Sequence, residues 1–302
     1  MAHHHTHTID TSEGDGRLLG AIGVNVGLTV FQIIGGVLSG SLALIADALH
    51  NLSDAASLVI AYLAHKIARK PASADMPFGY TRVETVAALV NYTSLTMIGI
   101  YLAYEAIWRF FDPQPVIGWL MIVVAIVALL VDAITAWLTY SMSKDSVNIR
   151  AAFLHNLADA MGSVAVIVAG LMIYAFGWWL ADPIITLMIA AYILWMSLSE
   201  MPSVIRTLML ARPEQIHPQT VINTLLEVDG ITHVHNAHLW QVNEHLTAFQ
   251  AHVVVWGGEW ADADSIKSEA RDLLSSQFGI TQITLELECT AHACINAPTF
   301  GS

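Results

Sequence analysis

Charge is what this chain has least of. Only 12% of its 302 residues are Asp, Glu, Lys or Arg, against about a quarter in a typical soluble domain. That scarcity, with 55% hydrophobic residues and a mean hydropathy of +0.58, excludes a wholly water-soluble protein. Basic residues are scarcer still, 12 against 25 acidic, for a formal charge of −13. Nucleic-acid binders carry a basic patch, so nucleic acid is excluded as a partner. The only cysteines, Cys289 and Cys294, lie near the C-terminus. They could share one small disulfide but cannot staple a fold. Residues 1–16 are polar and acidic, without the basic segment and apolar core of a cleavable signal peptide. No His-Glu-x-x-His box, the zinc helix of metalloproteases, occurs.

Long apolar runs are what the chain has instead. A bilayer core of about 30 Å needs roughly 20 helical residues, and six segments qualify, at about 18–40, 42–66, 84–110, 116–142, 150–176 and 180–204. Arg17, Lys66, Arg69, Lys70, Arg82, Lys144, Arg150, Arg206 and Arg212 fall at one set of ends, and only Arg109 at the other. Cytoplasmic loops hold the excess of Lys and Arg, so both termini are expected in the cytoplasm. Beyond Arg212 the pattern is that of a water-soluble domain. Pro218–Leu226 and Ala263–Phe278 read as helices; His233–Val242 and Leu246–Trp256 alternate as half-buried strands do, and Ile280–Glu288 reads as a third strand. The order α-β-β-α-β suggests a ferredoxin-like sheet with helices on one face. The fold class is therefore an α-helical membrane protein with six spans and a cytoplasmic α+β domain. Its divisions are a His-rich tail (1–16), a membrane domain (17–208), a cytoplasmic domain (209–290) and a C-terminal tail (291–302).

One short pattern occurs twice in the apolar part. Leu49-His50-Asn51-Leu52-Ser53-Asp54-Ala55 is answered by Leu154-His155-Asn156-Leu157-Ala158-Asp159-Ala160. Residues i and i+4 share a helix face, so each copy presents an imidazole beside a carboxylate. Two facing copies supply His50, Asp54, His155 and Asp159, enough to surround a divalent cation tetrahedrally. Ionisable groups are costly in hydrocarbon and mark ion or proton paths. Imidazole and carboxylate suit zinc and also admit cadmium or cobalt. A neutral imidazole binds metal and a protonated one cannot, so metal and proton would compete for one nitrogen and could be exchanged. Asp47, one turn before His50, reads as a partner orienting the imidazole or as a residue of the outer mouth. Asn25, Gln32 and Asp132 read as packing groups, Asn51 and Asn156 as pointing elsewhere, and Arg82 with Glu84 as an interfacial ion pair.

The soluble part carries a second set of ligand-type residues. His235 and His238 share one strand, His252 lies on the next, and Glu286 and Glu288 on the third, a combination suited to a regulatory metal site. Cys289, His292 and Cys294 follow as a further zinc or copper set. His65, His217, His233 and His245 read as solvated. Residues from Pro213 onward hold 11 acidic and two basic side chains, a net of −9. Copies of such a domain repel unless cations lie between them, as in a dimerisation module tightened by metal. The tract Met1-Ala2-His3-His4-His5-Thr6-His7 is either a tag or disordered end, or a weak metal-collecting arm.

Taken together these motifs resemble the cation diffusion facilitator family. Ser41-Leu42-Ala43-Leu44-Ile45-Ala46-Asp47-Ala48-Leu49-His50 with Asp54 is similar to its second helix, and Arg150-Ala151-Ala152-Phe153-Leu154-His155 with Asp159 to its fifth. Pro77-Phe78-Gly79-Tyr80-Thr81-Arg82-Val83-Glu84 resembles the loop into its third helix, and Val234-His235-Asn236-Ala237-His238-Leu239-Trp240 the start of its cytoplasmic domain. The resemblance covers residues 17 to about 290. It implies a proton-coupled homodimer of the zinc-type branch, exporting zinc and related divalent ions across a bacterial inner membrane. It also implies that His235, His252 and Glu288 bind metal. Met76-Pro77 stands where the family often has His before Phe-Gly, Thr281 where a further His is sometimes found, and no His-rich insertion separates spans four and five. Two rivals are an intramembrane zinc metalloenzyme, which needs a position open to water, and a metal sensor anchored in the membrane.

Overall fold

In the computed structural model the backbone is described for residues 11–140, 147–243, 246–256, 262–294 and 297–301, less the side chains of 11–22, 58, 61, 62, 65, 138, 139, 147–152 and 155. The N-terminal His tract and His245 lie outside the described residues, as do the side chains of His65 and His155. Six long helices come first: α1 (Thr11–Ser39), α2 (Leu42–Ala68), α3 (Val83–Phe111), α4 (Gly118–Tyr140), α5 (Val147–Phe176) and α6 (Ala181–Leu208). By length and apolarity α3 to α6 can each cross a membrane. The apolar stretch described in α1 is the shorter Gly23–Ser39, and α2 is interrupted by Asp47, His50 and Asp54. Apolar side chains of the long helices face outward, including Val37 and Leu38 on α1, Tyr104 and Phe111 on α3 and Trp195 on α6. This inversion of the soluble pattern is that of a lipid-facing surface, and the chain is a membrane protein.

Two groupings of the chain are described separately. One runs to Leu63 and resumes from Val90 to Met201; the other takes Ala64–Leu89 and everything from Pro202. Within the first, α2 is shared between two apolar clusters. Ala43 and Leu44 pack with Met121, Val124, Val166 and Ile173 of α4 and α5. Leu42 and Ala46 pack with Leu95, Leu102 and Ile193 of α3 and α6. Small residues let membrane helices approach closely, and Gly118 is the clearest instance. A Cβ there would lie 2.9 Å from both the Gly170 carbonyl oxygen and the Tyr174 amide of α5.

The start of α2 is a built junction. Gly40 turns the chain with φ +73°, a conformation that costs glycine little. Ser41 caps the helix, its Oγ accepting from the Leu44 amide at 3.2 Å. Asp182 on α6, fully buried, accepts from the Ser41 hydroxyl at 2.6 Å and from the Leu42 and Ala43 amides at 2.9 and 3.1 Å. The helix dipole also favours a carboxylate there. From α3, Arg109 donates to the Gly40 carbonyl at 2.7 Å and lies 3.4 Å from Asp182. Three helices thus meet at one carboxylate.

The second grouping contains α7 (Pro218–Leu225), β1 (Ile231–Asn243), β2 (Leu246–Val255), α8 (Ala263–Phe278) and β3 (Gln282–Cys289). The sheet order is β1-β2-β3, with β1 antiparallel and β3 parallel to the central β2. Phe249, Ala251, Val253 and Val255 of β2 pack with Val221 and Leu225 of α7 and Ile266, Ala270 and Leu274 of α8. Alternation in β2 therefore turns His252 to the other face. The register places His235 opposite His252, and His252 opposite Glu286. A bulge between His235 and His238, with Asn236 at φ +49°, interrupts β1. There the C-terminal segment docks on the outer edge of β1: the Asn236 amide donates to Pro298 and the Ala237 amide to Thr299, each at 2.9 Å.

Candidate metal sites

On α2, His50 and Asp54 are one turn apart, and α5 brings Asp159 against them. His50 Nε2 is 3.4 Å from Asp159 Oδ1 and 3.7 Å from Asp54 Oδ2. One ligand atom from each of the three lies within 4.8 Å of the others. His50 and Asp159 are buried and Asp54 is half-buried. Tyr192 of α6 meets the His50 ring edge-on, centroids 5.9 Å apart. His155 stands one turn before Asp159 on α5; its side chain is outside the described residues. Three acceptor-rich side chains converging in an apolar bundle are what a divalent cation needs and what hydrocarbon otherwise penalises.

Asp47 belongs to an adjoining polar layer. It accepts a 2.5 Å hydrogen bond from Gln32 of α1, whose amide oxygen accepts from Asn51 at 3.0 Å. Asn51 thus points toward α1, as its position beside His50 requires. Asp132 of α4 accepts from Ser163 of α5 at 3.3 Å. Sequence reasoning missed the role of Asp182, which lay unremarked in the sixth apolar segment, and that of Tyr192. The partners of Asp182 lie up to 141 positions away, so its sole local signal was an acidic residue at a helix start.

The second assembly lies on the sheet face away from α7 and α8. Glu288 is its hub. Its Oε1 is 2.6 Å from His252 Nδ1, its Oε2 is 3.4 Å from His235 Nε2, and the Cys294 amide donates to it at 3.1 Å. His235, His252, Glu288 and Cys294 form a four-residue group with ligand atoms within 4.8 Å of one another. Glu286 lies outside that group but 3.3 Å from His252 Nε2. His238, paired with Gln250, is exposed and contacts the Asn236 carbonyl through Nδ1 at 3.0 Å. Cys289 Sγ and His292 Nδ1 lie 3.1 Å apart, beside the group and not in it. His217 and His233 are exposed, though His233 stacks on His235. Burial works to raise the Glu288 carboxyl, but hydrogen bonds from His252 and Cys294 outweigh it and hold the group below the usual carboxylate range. The same carboxylate pushes the Cys294 thiol up.

Relatives of this chain are found along most of its length. A cadmium, cobalt and zinc/H(+)-K(+) antiporter of Bacillus subtilis is 36% identical over 90% of this chain and 88% of its own length. The zinc transporter ZitB of Escherichia coli is 35% identical over 95% and 93%. The metal cation efflux system protein CzcD of Cupriavidus metallidurans is 30% identical over 93% and 89%. The metal-bound C-terminal domain of a CzcD transporter, a solved structure, spans 24% of this chain and 99% of its own, with 22% identity and a TM-score of 0.23. These relatives are named as transporters and not as enzymes, so the metalloenzyme rival falls. Residues 18–209 match the cation efflux transmembrane domain and residues 213–289 the cytoplasmic domain of cation efflux proteins, and the chain belongs to that family.

Proposed function

We propose that this transporter exports zinc, with cadmium or cobalt as alternatives, from the cytoplasm in exchange for protons. His50, Asp54, His155 and Asp159 bind the ion between α2 and α5. The observation that carries the reading is the convergence of His50, Asp54 and Asp159 from two helices in a buried setting. Two relatives whose names include zinc transport or zinc antiport support the choice of cargo. A set of two imidazoles and two carboxylates is complete for a tetrahedral ion. Protonation of the imidazoles opposes metal binding, and an unperturbed His titrates near about 6.5, so protons entering the site release the ion. No covalent step is involved.

The membrane domain (17–208) sits in the bacterial inner membrane with both termini in the cytoplasm. His235, His252 and Glu288 bind a second, regulatory ion in the cytoplasmic domain (209–290), and the protein acts as a homodimer. In proteoliposomes, zinc flux driven by a pH gradient is expected, and Asp159→Ala is expected to abolish it. Flux that survives Asp159→Ala, in protein correctly inserted, overturns the assignment of the site.

A further inference from the structure

The transport reading leaves the C-terminal segment unused, although it is tied to the sheet at two places. Before residues 295–296, the Cys294 amide donates to Glu288. After them, Pro298 and Thr299 accept from Asn236 and Ala237 at the bulge that follows His235. These ties bring Cys294 Sγ to 3.5 Å from Glu288 Oε1. Opposite lies His235, an imidazole with 0% exposure and, among the described residues, no hydrogen bond at either ring nitrogen. Burying a polar group without a partner is costly, yet Nε2 stops 3.4 Å from Glu288 Oε2. A ring nitrogen, a second from His252, a carboxylate oxygen and a sulfur all face one small volume. Ligand atoms around a tetrahedral zinc lie about 3.3–3.8 Å apart, given bonds of about 2.0–2.3 Å.

We infer that Cys294 is the fourth ligand of the cytoplasmic site, which binds a divalent cation such as zinc through His235, His252, Glu288 and the Cys294 thiolate. Such a set is closed, leaving no position for water, which is the mark of a structural or regulatory ion and not a catalytic one. Binding displaces the thiol proton to solvent and joins the C-terminal segment to all three strands. Glu286, 3.3 Å from His252 Nε2, then holds the ring while Nδ1 faces the ion, as carboxylates behind metal-bound imidazoles do. Cys289 and His292 stand aside.

The inference rests on the reading that His235, His252 and Glu288 hold metal, and the test separates the two. Cobalt reports sulfur ligation through a near-ultraviolet thiolate-to-metal charge-transfer band. In the full chain that band can arise only from Cys289 or Cys294, the two cysteines present. Purified full-length protein titrated with cobalt should show the band, Cys289→Ser should keep it, and Cys294→Ser should lose it. In the Cys289→Ser protein, cobalt at about ten times its dissociation constant should slow alkylation of Cys294 about tenfold, and His235→Ala should remove that protection. The second measurement does not depend on how Cys294→Ser folds. If cobalt binds and His235→Ala lowers its stoichiometry, but no band appears and alkylation is unslowed, Cys294 is not a ligand. A stoichiometry unchanged by His235→Ala overturns the underlying site as well.

Discussion

The Asp182 carboxylate is fully buried and takes hydrogen bonds from Ser41, Leu42 and Ala43, with Arg109 beside it. Its removal leaves the Leu42 and Ala43 amides without their acceptor and takes the buried carboxylate from beside Arg109, which keeps the Gly40 carbonyl. Breaking a buried charge pair from one side costs about 3–5 kcal/mol. Asp182→Ala should therefore lower the detergent melting temperature strongly, while the amount of cobalt bound per chain stays the same. Gln32 is a smaller case, serving Asp47 through its amide nitrogen and Asn51 through its oxygen. Gln32→Leu should cost about 1–3 kcal/mol, the penalty for buried polar groups left unsatisfied, read as a shift in the same melt. Glu288 differs from both, since its partners are themselves ligand-type groups.

Among elements, the contact of α4 with α5 depends on a missing side chain. Gly118→Ala would put a methyl 2.9 Å from backbone atoms of Gly170 and Tyr174, and backbone cannot turn aside as a rotamer can. Overpacking of this kind costs about 1–3 kcal/mol, so the variant should melt earlier, and trimming neighbouring side chains should not restore it. In the first turn of α8, Asp264 accepts from Lys267 at 2.9 Å, and that bond holds its carboxyl below the usual range. A depressed folded value stabilises above the unfolded one and is lost as pH falls through the folded one. Asp264→Asn should therefore lower stability slightly at neutral pH, and its melting curve should merge with the parent's in acid below the usual carboxylate range.

The long helices were readable because apolar runs of spanning length admit few alternatives, and α3 was expected at 84–110 and found at Val83–Phe111. The strands were readable from period two, which set His235, His252, Glu286 and Glu288 on adjacent strands, while their common face came from the register. Contacts without a local pattern were not readable. The cap on α2 comes from Asp182 through a bond spanning 140 positions. The bulge after His235 and the docking of Thr299 fall at one place and leave no periodic trace. Tyr192 resembled any aromatic residue in a span until α6 set its ring against His50.

For the whole molecule, the charge of the acidic C-terminal domain opposes the approach of a second copy. With 11 acidic and two basic residues from Pro213 onward, two such domains repel within about a Debye length, roughly 10 Å at 0.1 M salt. Divalent cations bound at His235, His252 and Glu288 would reduce that repulsion. Chelation should therefore lower the dimer fraction in light-scattering measurements at low salt, and zinc or added salt should restore it.

The cap on α2 also orders how the chain is made. While the protein leaves the ribosome, α2 is synthesised long before Asp182, so Ser41 can cap the Leu44 amide while the Leu42 and Ala43 amides still wait for their carboxylate. The junction closes when the last hydrophobic segment has been inserted. A nascent chain halted after α5 should therefore remain open to protease near Ser41, and extension through Asp182 should seal it.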